Sequence, residues 1–171
     1  MTHGATVFYG FPIITRFPDT EIEIGNKVVL CSDSRFTALG VARPVILRTL
    51  RPHARIRIGN NTGMSGAVIC SAVSIDIGSE CLFGADVQIM DNDFHKVEPK
   101  NRYCDNTADK IGSAPIVIED NVFLGAGVKV MKGVRIGRNS VVGAGSVVTK
   151  DIPADSIAVG SPARVVGRVD A

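Results

Sequence analysis

Aliphatic residues recur every six positions through the second half of this chain. Residues two apart on a strand face the same side, so each unit turns a pair of side chains inward and must then bend. Glycine directly follows the larger aliphatic at Gly125, Gly137 and Gly143, as a repeated bend requires. The two inward columns are Ile118, Leu124, Val130, Ile136, Val142 and Val148, and Ile116, Val122, Val128, Val134, Ser140 and Ser146.

The same unit occurs upstream, in blocks separated by interruptions at residues 37–53 and 96–114. A short strand followed by a corner every six residues describes a coil with three faces. We therefore predict an all-β chain that forms a parallel β-helix. Its hand does not follow from the pattern, and the general rule for parallel crossovers would make it right-handed. The upstream units end in Ile24, Ile58, Ile77, Phe83 and Ile89.

The composition agrees with a strand-rich chain. The 171 residues include 22 Val and 17 Ile but only 6 Leu, and branching at Cβ suits strands better than helices. A helical bundle is therefore excluded. The formal net charge of +2 is too small for a field that would hold nucleic acid or an anionic membrane.

The cysteines, the histidines and the N-terminus argue against secretion and against metal binding. Cys31, Cys70, Cys81 and Cys104 show no Cys-x-x-Cys spacing, so we expect free thiols, with Cys104 inert because no second histidine could activate it. His3 and His53 lack the context of a zinc site. The chain begins without the pattern of a signal peptide and has no apolar stretch of about 20 residues. We expect a cytoplasmic protein.

The repeat breaks at two polar residues. Six residues beyond Ile89 stands His95, with Asp93 two positions before it, where the pattern calls for inward aliphatics. A polar loop at residues 96–114 follows, and loops of this length are uncommon in compact domains unless they are functional. Either this pair belongs to a site, or His95 is an idle loop residue held by Asp91 or Asp93.

Between residues 129 and 168 there are seven basic residues and two acidic ones. This excess predicts either a solvated basic face or a site for a small anion.

Four segments resemble the hexapeptide-repeat acyltransferases, in the branch of maltose, galactoside and capsular-polysaccharide O-acetyltransferases. They are Asn92-Asp-Phe-His95, residues 114–125, residues 143–153 and Gly160-Ser-Pro-Ala-Arg164, and the likeness spans residues 22–166. The resemblance implies a left-handed parallel β-helix, a homotrimer, and acetyl-CoA bound in clefts between subunits. It implies three segments: an N-terminal segment (1–20), the β-helix domain (21–160) and a C-terminal tail (161–171).

In this family resemblance, His95 matches the catalytic histidine, which acts as general base. Imidazole suits that role because its ordinary pKa lies near neutrality. Asp93 would orient the imidazole or hold the acceptor, and Ser65 falls near the acceptor. We add Arg102, a cation of the loop, to the expected acceptor-binding residues.

The resemblance also implies a set of residues that bind acetyl-CoA. Small side chains would allow the pantetheine arm to approach the backbone, and basic side chains would bind its phosphates. A further arginine of the family is replaced here by Gly167, with Arg168 beside it. The expected set is Phe123, Ala126 and Ala144 for the arm, and Thr149, Lys150, Arg164 and Arg168 for the phosphates.

The expected activity is direct acetyl transfer from acetyl-CoA to a hydroxyl of a sugar or polysaccharide precursor, without a metal. N-acetylation of an amino sugar is the nearest alternative. A γ-type carbonic anhydrase on the same coil and a non-catalytic structural β-helix remain further alternatives, although the chain lacks a His-x-x-x-x-His pair.

Overall fold

The structure, a computed structural model, describes residues 1–105 and 107–169. Through residue 148 the chain winds through three parallel sheets in turn, so that consecutive strands belong to different sheets and neighbouring strands of one sheet come from successive coils. This is the architecture of a three-sided parallel β-helix, as the six-residue repeat predicts.

The strands are short, and we name the sheets A, B and C in the order in which the chain visits them. Sheet A contains β1 (Thr2–His3), β4 (Glu21–Ile24), β7 (Arg55–Ile58), β10 (Ser74–Ile77), β13 (Ile116–Ile118) and β16 (Arg135–Ile136). Sheet B contains β2 (Thr6–Tyr9), β5 (Val28–Cys31), β8 (Gly63–Ser65), β11 (Leu82–Phe83), β14 (Phe123–Leu124), β17 (Val141–Val142), β19 (Ser156–Gly160) and β20 (Ala163–Arg168). Sheet C contains β3 (Ile13–Thr15), β6 (Ile46–Thr49), β9 (Val68–Ser71), β12 (Gln88–Met90), β15 (Lys129–Val130) and β18 (Val147–Val148).

The inward columns predicted from the repeat form the core. All twelve residues of the two columns between Ile116 and Val148 are buried. Equivalent positions of neighbouring strands pair with each other, so that one column of sheet A is a ladder of isoleucines in direct register. Each such side chain contributes about 1.5–3 kcal/mol on full burial. The ladder consists of Ile24, Ile58, Ile77, Ile118 and Ile136.

Two inward positions are serines, and both hydroxyls are satisfied. Ser140 donates to the Pro153 carbonyl at 2.7 Å, and Ser146 donates to the Gly143 carbonyl at 2.6 Å. A buried hydroxyl without a partner would be costly, so these bonds explain how serine can occupy an aliphatic column.

Glycine is needed at the corners because successive coils approach closely there. A Cβ on Gly125 would lie 2.5 Å from the Ala144 nitrogen, and one on Gly84 would lie 2.6 Å from the Ala126 nitrogen. No side chain fits at such distances, so glycine after the large aliphatic is a packing requirement as well as a bend.

The expected boundary at residue 20 does not separate two units. Strands β1, β2 and β3 pair in parallel with β4, β5 and β6, so residues 2–15 form a first coil of the β-helix. At the other end, β20 pairs antiparallel with β19, so much of the expected tail continues sheet B.

Two insertions leave the coil. The first lies between β5 and β6 and contains a 3₁₀ helix at Ser34–Phe36. The second lies between β12 and β13, in the predicted position, and contains a 3₁₀ helix at Ala108–Lys110. In the described parts of the chain no helix is long and apolar enough to cross a membrane.

Candidate functional site

The second insertion is closed at its base by backbone hydrogen bonds. The Ala114 nitrogen donates to the Asp91 carbonyl at 2.9 Å, and the Asp93 nitrogen donates to the Gly112 carbonyl at 3.0 Å. Between them, Asn92 and Ser113 form an antiparallel bridge. The loop therefore leaves and rejoins the coil through a narrow two-stranded neck.

Asp91 anchors this neck inside the protein. Its carboxylate is fully buried and accepts hydrogen bonds from the Ser71 hydroxyl at 2.9 Å, the Ala72 nitrogen at 2.6 Å and the Val73 nitrogen at 2.8 Å. These donors belong to the corner of the preceding coil. From the sequence, Asp91 is expected only as a partner for His95, and no spacing in the repeat marks it as an anchor.

The Asp93 carboxylate binds a lysine of the next coil. Lys132 Nζ lies 2.6 and 2.7 Å from the two carboxylate oxygens of Asp93. Among the described residues, none of the hydrogen bonds joins Asp93 to the imidazole of His95. The expected orienting contact between these two side chains is therefore absent from this structure, because Lys132 occupies the carboxylate.

His95 is exposed beside the neck. Its backbone nitrogen donates to the Asp93 carbonyl at 2.7 Å, and Phe94 between them adopts a left-handed conformation with φ of 59°. This tight turn directs the chain outward. The imidazole lines a cavity together with Pro99, Asn101, Arg102 and Tyr103.

Arg102, expected to bind the acceptor, thus lies in the same cavity as His95. Its guanidinium also donates to the Val97 carbonyl of the loop. Ion pairs order the loop further, since Asp105 binds Lys110 at 2.7 Å and the buried Lys96 at 3.4 Å. The Lys110 ammonium lowers the pKa of the Asp105 carboxyl by hydrogen bonding.

The coil is interrupted before Asp93 and His95, so neither residue takes the inward position at which the repeat would place it. Asp93 is half-buried and His95 is exposed, whereas Ile116 and Ile118 fill the inward positions of sheet A after the insertion. The chain leaves the coil at Asp91, before the sixth position is reached.

The residues expected along the pantetheine arm lie at another corner of the coil. We call the turns from sheet B to sheet C corner BC (residues 84–87, 125–128 and 143–146). The turns from sheet C to sheet A form corner CA (residues 50–54, 72–73, 131–134 and 149–151), from which the second insertion also leaves. Ala126 is half-buried and Ala144 is exposed, and they stack on successive coils of corner BC. The Gly145 nitrogen donates to the Ala126 carbonyl at 2.8 Å, and this corner therefore presents backbone and methyl groups.

Ser65 and Phe123 share a groove on the outer face of sheet B. The groove is also lined by Tyr9, Phe36 and Leu82. Ser65 therefore does not line the cavity beside His95 in the single chain, and the expected acceptor-binding residues are divided between two faces.

The residues expected to bind phosphates are all exposed near the C-terminal end of the coil. Thr149 and Lys150 directly follow β18 at corner CA. Arg164 and Arg168 lie in β20 at the end of sheet B, where Arg168 donates to the Ala154 carbonyl at 3.2 Å. The structure thus keeps the basic residues at one end but on two sides of the coil.

The outer face of sheet A has a different character. A polar groove runs across it, and its charged residues form pairs such as Arg55 with Asp76 at 3.0 Å and Arg135 with Glu119. Within the described residues no group of three His, Cys, Asp or Glu could hold a metal ion. Cys31, Cys70 and Cys81 are buried and Cys104 is exposed, all as free thiols.

Comparisons with known proteins agree with this architecture. Residues 115–150 match the family model described as the hexapeptide repeat of succinyl-transferase. This segment is similar to the hexapeptide-repeat proteins. This match covers the coils on which corner BC presents Ala126 and Ala144.

A galactoside O-acetyltransferase of Lactococcus lactis is 46% identical over 96 residues, which cover 56% of this chain and 44% of that protein. The chain thus spans less than half the length of this curated relative.

Two solved structures are similar over nearly the whole chain. The maltose O-acetyltransferase of Clostridium difficile is 27% identical with a TM-score of 0.57, over 96% of this chain and 72% of that one. A hexapeptide-repeat acetyltransferase of Vibrio cholerae, complexed with acetyl coenzyme A, is 26% identical with a TM-score of 0.60, over 98% and 73%. The fold is a left-handed parallel β-helix. The family resemblance therefore predicts the hand of the coil correctly, whereas the general rule for parallel crossovers predicts the opposite hand.

Proposed function

We propose that this protein transfers an acetyl group from acetyl-CoA to a hydroxyl of a sugar, with His95 as the general base. The observation that carries the proposal is the exposed imidazole of His95, which stands in an open cavity at the base of a loop on a hexapeptide coil. The similar proteins of Lactococcus lactis and Clostridium difficile are named as O-acetyltransferases of galactoside and maltose.

The chemistry needs one proton acceptor. An imidazole nitrogen of His95 takes the proton of the acceptor hydroxyl while the oxygen attacks the thioester carbonyl. The carbon–sulfur bond then breaks, and the coenzyme A thiolate leaves and takes up the proton. No acyl-enzyme forms, so one histidine serves for both proton transfers.

Acetyl-CoA would lie along corner BC. The backbone and methyl groups of Ala126 and Ala144 give the pantetheine arm a flat surface, and Phe123 adds an aromatic wall. The phosphates would bind Thr149, Lys150, Arg164 and Arg168, which gives the basic excess a partner. The acetyl-CoA complex of the similar Vibrio cholerae protein supports this substrate.

The complete site requires more than one copy of the chain. His95 projects from corner CA, whereas Ala126 and Ala144 lie at corner BC, across sheet C, and none of the expected cofactor residues lines the cavity beside His95. A homotrimer would bring corner CA of one copy to corner BC of the next.

The outer face of sheet B is the surface we propose for this contact. Leu82, Phe123, Val159 and Val165 are all exposed on it, and apolar patches of this kind mark interaction sites. The contact would also bring the groove that contains Ser65 close to the acceptor.

Arg102 and Ser65 would contact the sugar, and Asp93 would act by shaping the loop. N-acetylation of an amino sugar remains the second candidate, since the same base would serve an amine. Acceptor profiling separates the two, because only an O-acetyltransferase acetylates sugars without an amino group.

The test follows free coenzyme A released from acetyl-CoA with sugars and amino sugars as acceptors. His95→Ala should lower kcat by a factor of about 100 or more, because general base catalysis is worth that much. His53→Ala is the matched control and should leave kcat unchanged. Thermal shift with acetyl-CoA should be positive for both variants. Unchanged coenzyme A release by His95→Ala would contradict the assignment, and no shift with acetyl-CoA would favour a structural β-helix.

A further inference from the structure

We propose that Lys132 is a positioning residue for His95, acting through the Asp93 carboxylate. The ammonium of Lys132 holds Asp93, and Asp93 in turn holds the backbone turn that carries the imidazole. The consequence for catalysis rests on the proposed function of His95, whereas the structural link does not.

Lys132 belongs to the body of the coil and not to the loop. It follows β15, and the next residue, Gly133, donates its backbone N–H to the Ala114 carbonyl at 3.1 Å. Asp93 lies 39 residues earlier, in the neck of the insertion. The ion pair therefore joins the neck of the insertion to the body of the coil.

The ion pair contacts both carboxylate oxygens and is partly shielded from solvent. Lys132 Nζ contacts both oxygens of Asp93, and their side chains are 36% and 18% exposed. Charge-assisted bonds are stronger than neutral ones, and partial burial reduces the screening that weakens fully exposed pairs.

The backbone and the carboxylate of Asp93 all have partners at the neck of the insertion. Its nitrogen donates to the Gly112 carbonyl at 3.0 Å, its carbonyl accepts the His95 N–H at 2.7 Å, and its carboxylate binds Lys132. A further hydrogen bond holds the turn between Asp93 and His95, since the Phe94 nitrogen donates to Asn92 Oδ1 at 2.8 Å.

Packing confines the pair as well. A Cβ on Gly112 would lie 2.6 Å from Asp93 Oδ2 and 3.3 Å from Lys132 Cε. The carboxylate and the lysine stem thus fill the space beside the neck. Removal of the ammonium would free Asp93 and let the turn that carries His95 move, and a displacement of about 1 Å costs about 100-fold in rate.

The experiment compares Lys132→Met, Lys132→Arg and Asp93→Asn with the unaltered protein. Lys132→Met keeps the apolar stem and removes the charge, and Lys132→Arg keeps the charge. Lys129→Met is the matched control, because Lys129 is an exposed lysine three residues earlier on the same coil.

The first readout is the imidazole NMR signal of His95 in the full chain, identified by its loss in His95→Asn. Lys132→Met and Asp93→Asn should shift this signal and leave those of His3 and His53 in place. Lys132→Arg should restore it toward the original position, and Lys129→Met should not move it.

The second readout is catalysis. Lys132→Met should lower kcat at least tenfold with the Kd for acetyl-CoA unchanged, and the double variant with Asp93→Asn should be no worse than either single variant. An unmoved His95 signal in Lys132→Met would overturn the proposal. A raised KM for the acceptor with unchanged kcat would also overturn it, because Lys132 would then bind substrate directly.

Failure of the proposed function gives a different pattern. An unaltered protein without acetyl transfer would refute that function, while the NMR comparison would still decide whether Lys132 positions His95. If Lys132→Met does not fold, Asp93→Asn and Lys132→Arg carry the same comparison.

Discussion

The Asp91 carboxylate accepts the hydrogen bond of the Ser71 hydroxyl at 2.9 Å in the interior of the coil. This contact ties the origin of the second insertion to the corner one coil earlier. The Ala72 and Val73 nitrogens donate to the same carboxylate, so a single side chain satisfies three buried donors. The loop is therefore attached to the core through a polar centre that the hydrophobic repeat does not contain.

Replacement of Asp91 by alanine should destabilise the protein strongly. The change leaves the Ala72 and Val73 nitrogens without their acceptor, and each unsatisfied buried group costs about 1–3 kcal/mol. We expect the free energy of unfolding to fall by about 3 kcal/mol or more, measured by urea denaturation. Glu98→Ala, in the exposed part of the loop, is the control and should change it little. An Asp91→Ala variant with the original midpoint would contradict this role.

Packing predicts a difference between Gly125, at corner BC, and Gly63, in a strand of sheet B. A Cβ on Gly125 would lie 2.5 Å from a backbone nitrogen, whereas one on Gly63 would lie 3.5 Å from the flexible Leu82 side chain. Gly125→Ala should therefore cost about 1–3 kcal/mol through overpacking, and Gly63→Ala should cost less than 1 kcal/mol, on the order of a tolerated substitution. Thermal denaturation of both variants checks this, and equal losses would count against it.

Burial of Cys81 predicts a loss of stability in alkali. Desolvation of the thiolate raises the pKa of the Cys81 thiol from 9.0 to about 11. Between these values the unfolded chain releases the proton while the folded chain keeps it, so the free energy of unfolding falls from about pH 9 to about pH 11. This contribution is fully present below pH 9.

Denaturation at several pH values measures the Cys81 effect. Cys81→Ala should show a shallower loss of stability across this range than the unaltered protein. Cys104→Ala, which removes an exposed thiol, should keep the original slope. Identical slopes in all three proteins would mean that Cys81 titrates alike in both states.

If copies of the chain associate through sheet B, a charged side chain introduced on its outer face should dissociate the oligomer. Leu82 is 57% exposed on this face, and Leu82→Asp would bury a carboxylate in the proposed contact. The molar mass from light scattering should fall from three times to one times the chain mass of 18.1 kDa. Val97→Asp, at a residue 66% exposed in the loop, should remain trimeric. A trimeric Leu82→Asp variant would place the contact on another face.

Much of the coil was predictable because its pattern is local. Ile118, Leu124 and Val130 are buried as the six-residue spacing predicts, and the position of the second insertion is confirmed. The first coil was missed because its strands lack the regular aliphatic pairs, and only pairing with β4, β5 and β6 reveals it.

The candidate site, like the fold, could be predicted from the sequence only in part. The sequence by itself determined the three-sided coil, the glycine corners and the interruption of the repeat at Asp93 and His95, since each depends on neighbours within one repeat. Only the tertiary structure decided that Asp91 is an anchor, that Asp93 binds Lys132 and that Ser65 lies on another face from His95. These contacts join residues from different coils, and the closure of a long loop has no period that a sequence pattern could express.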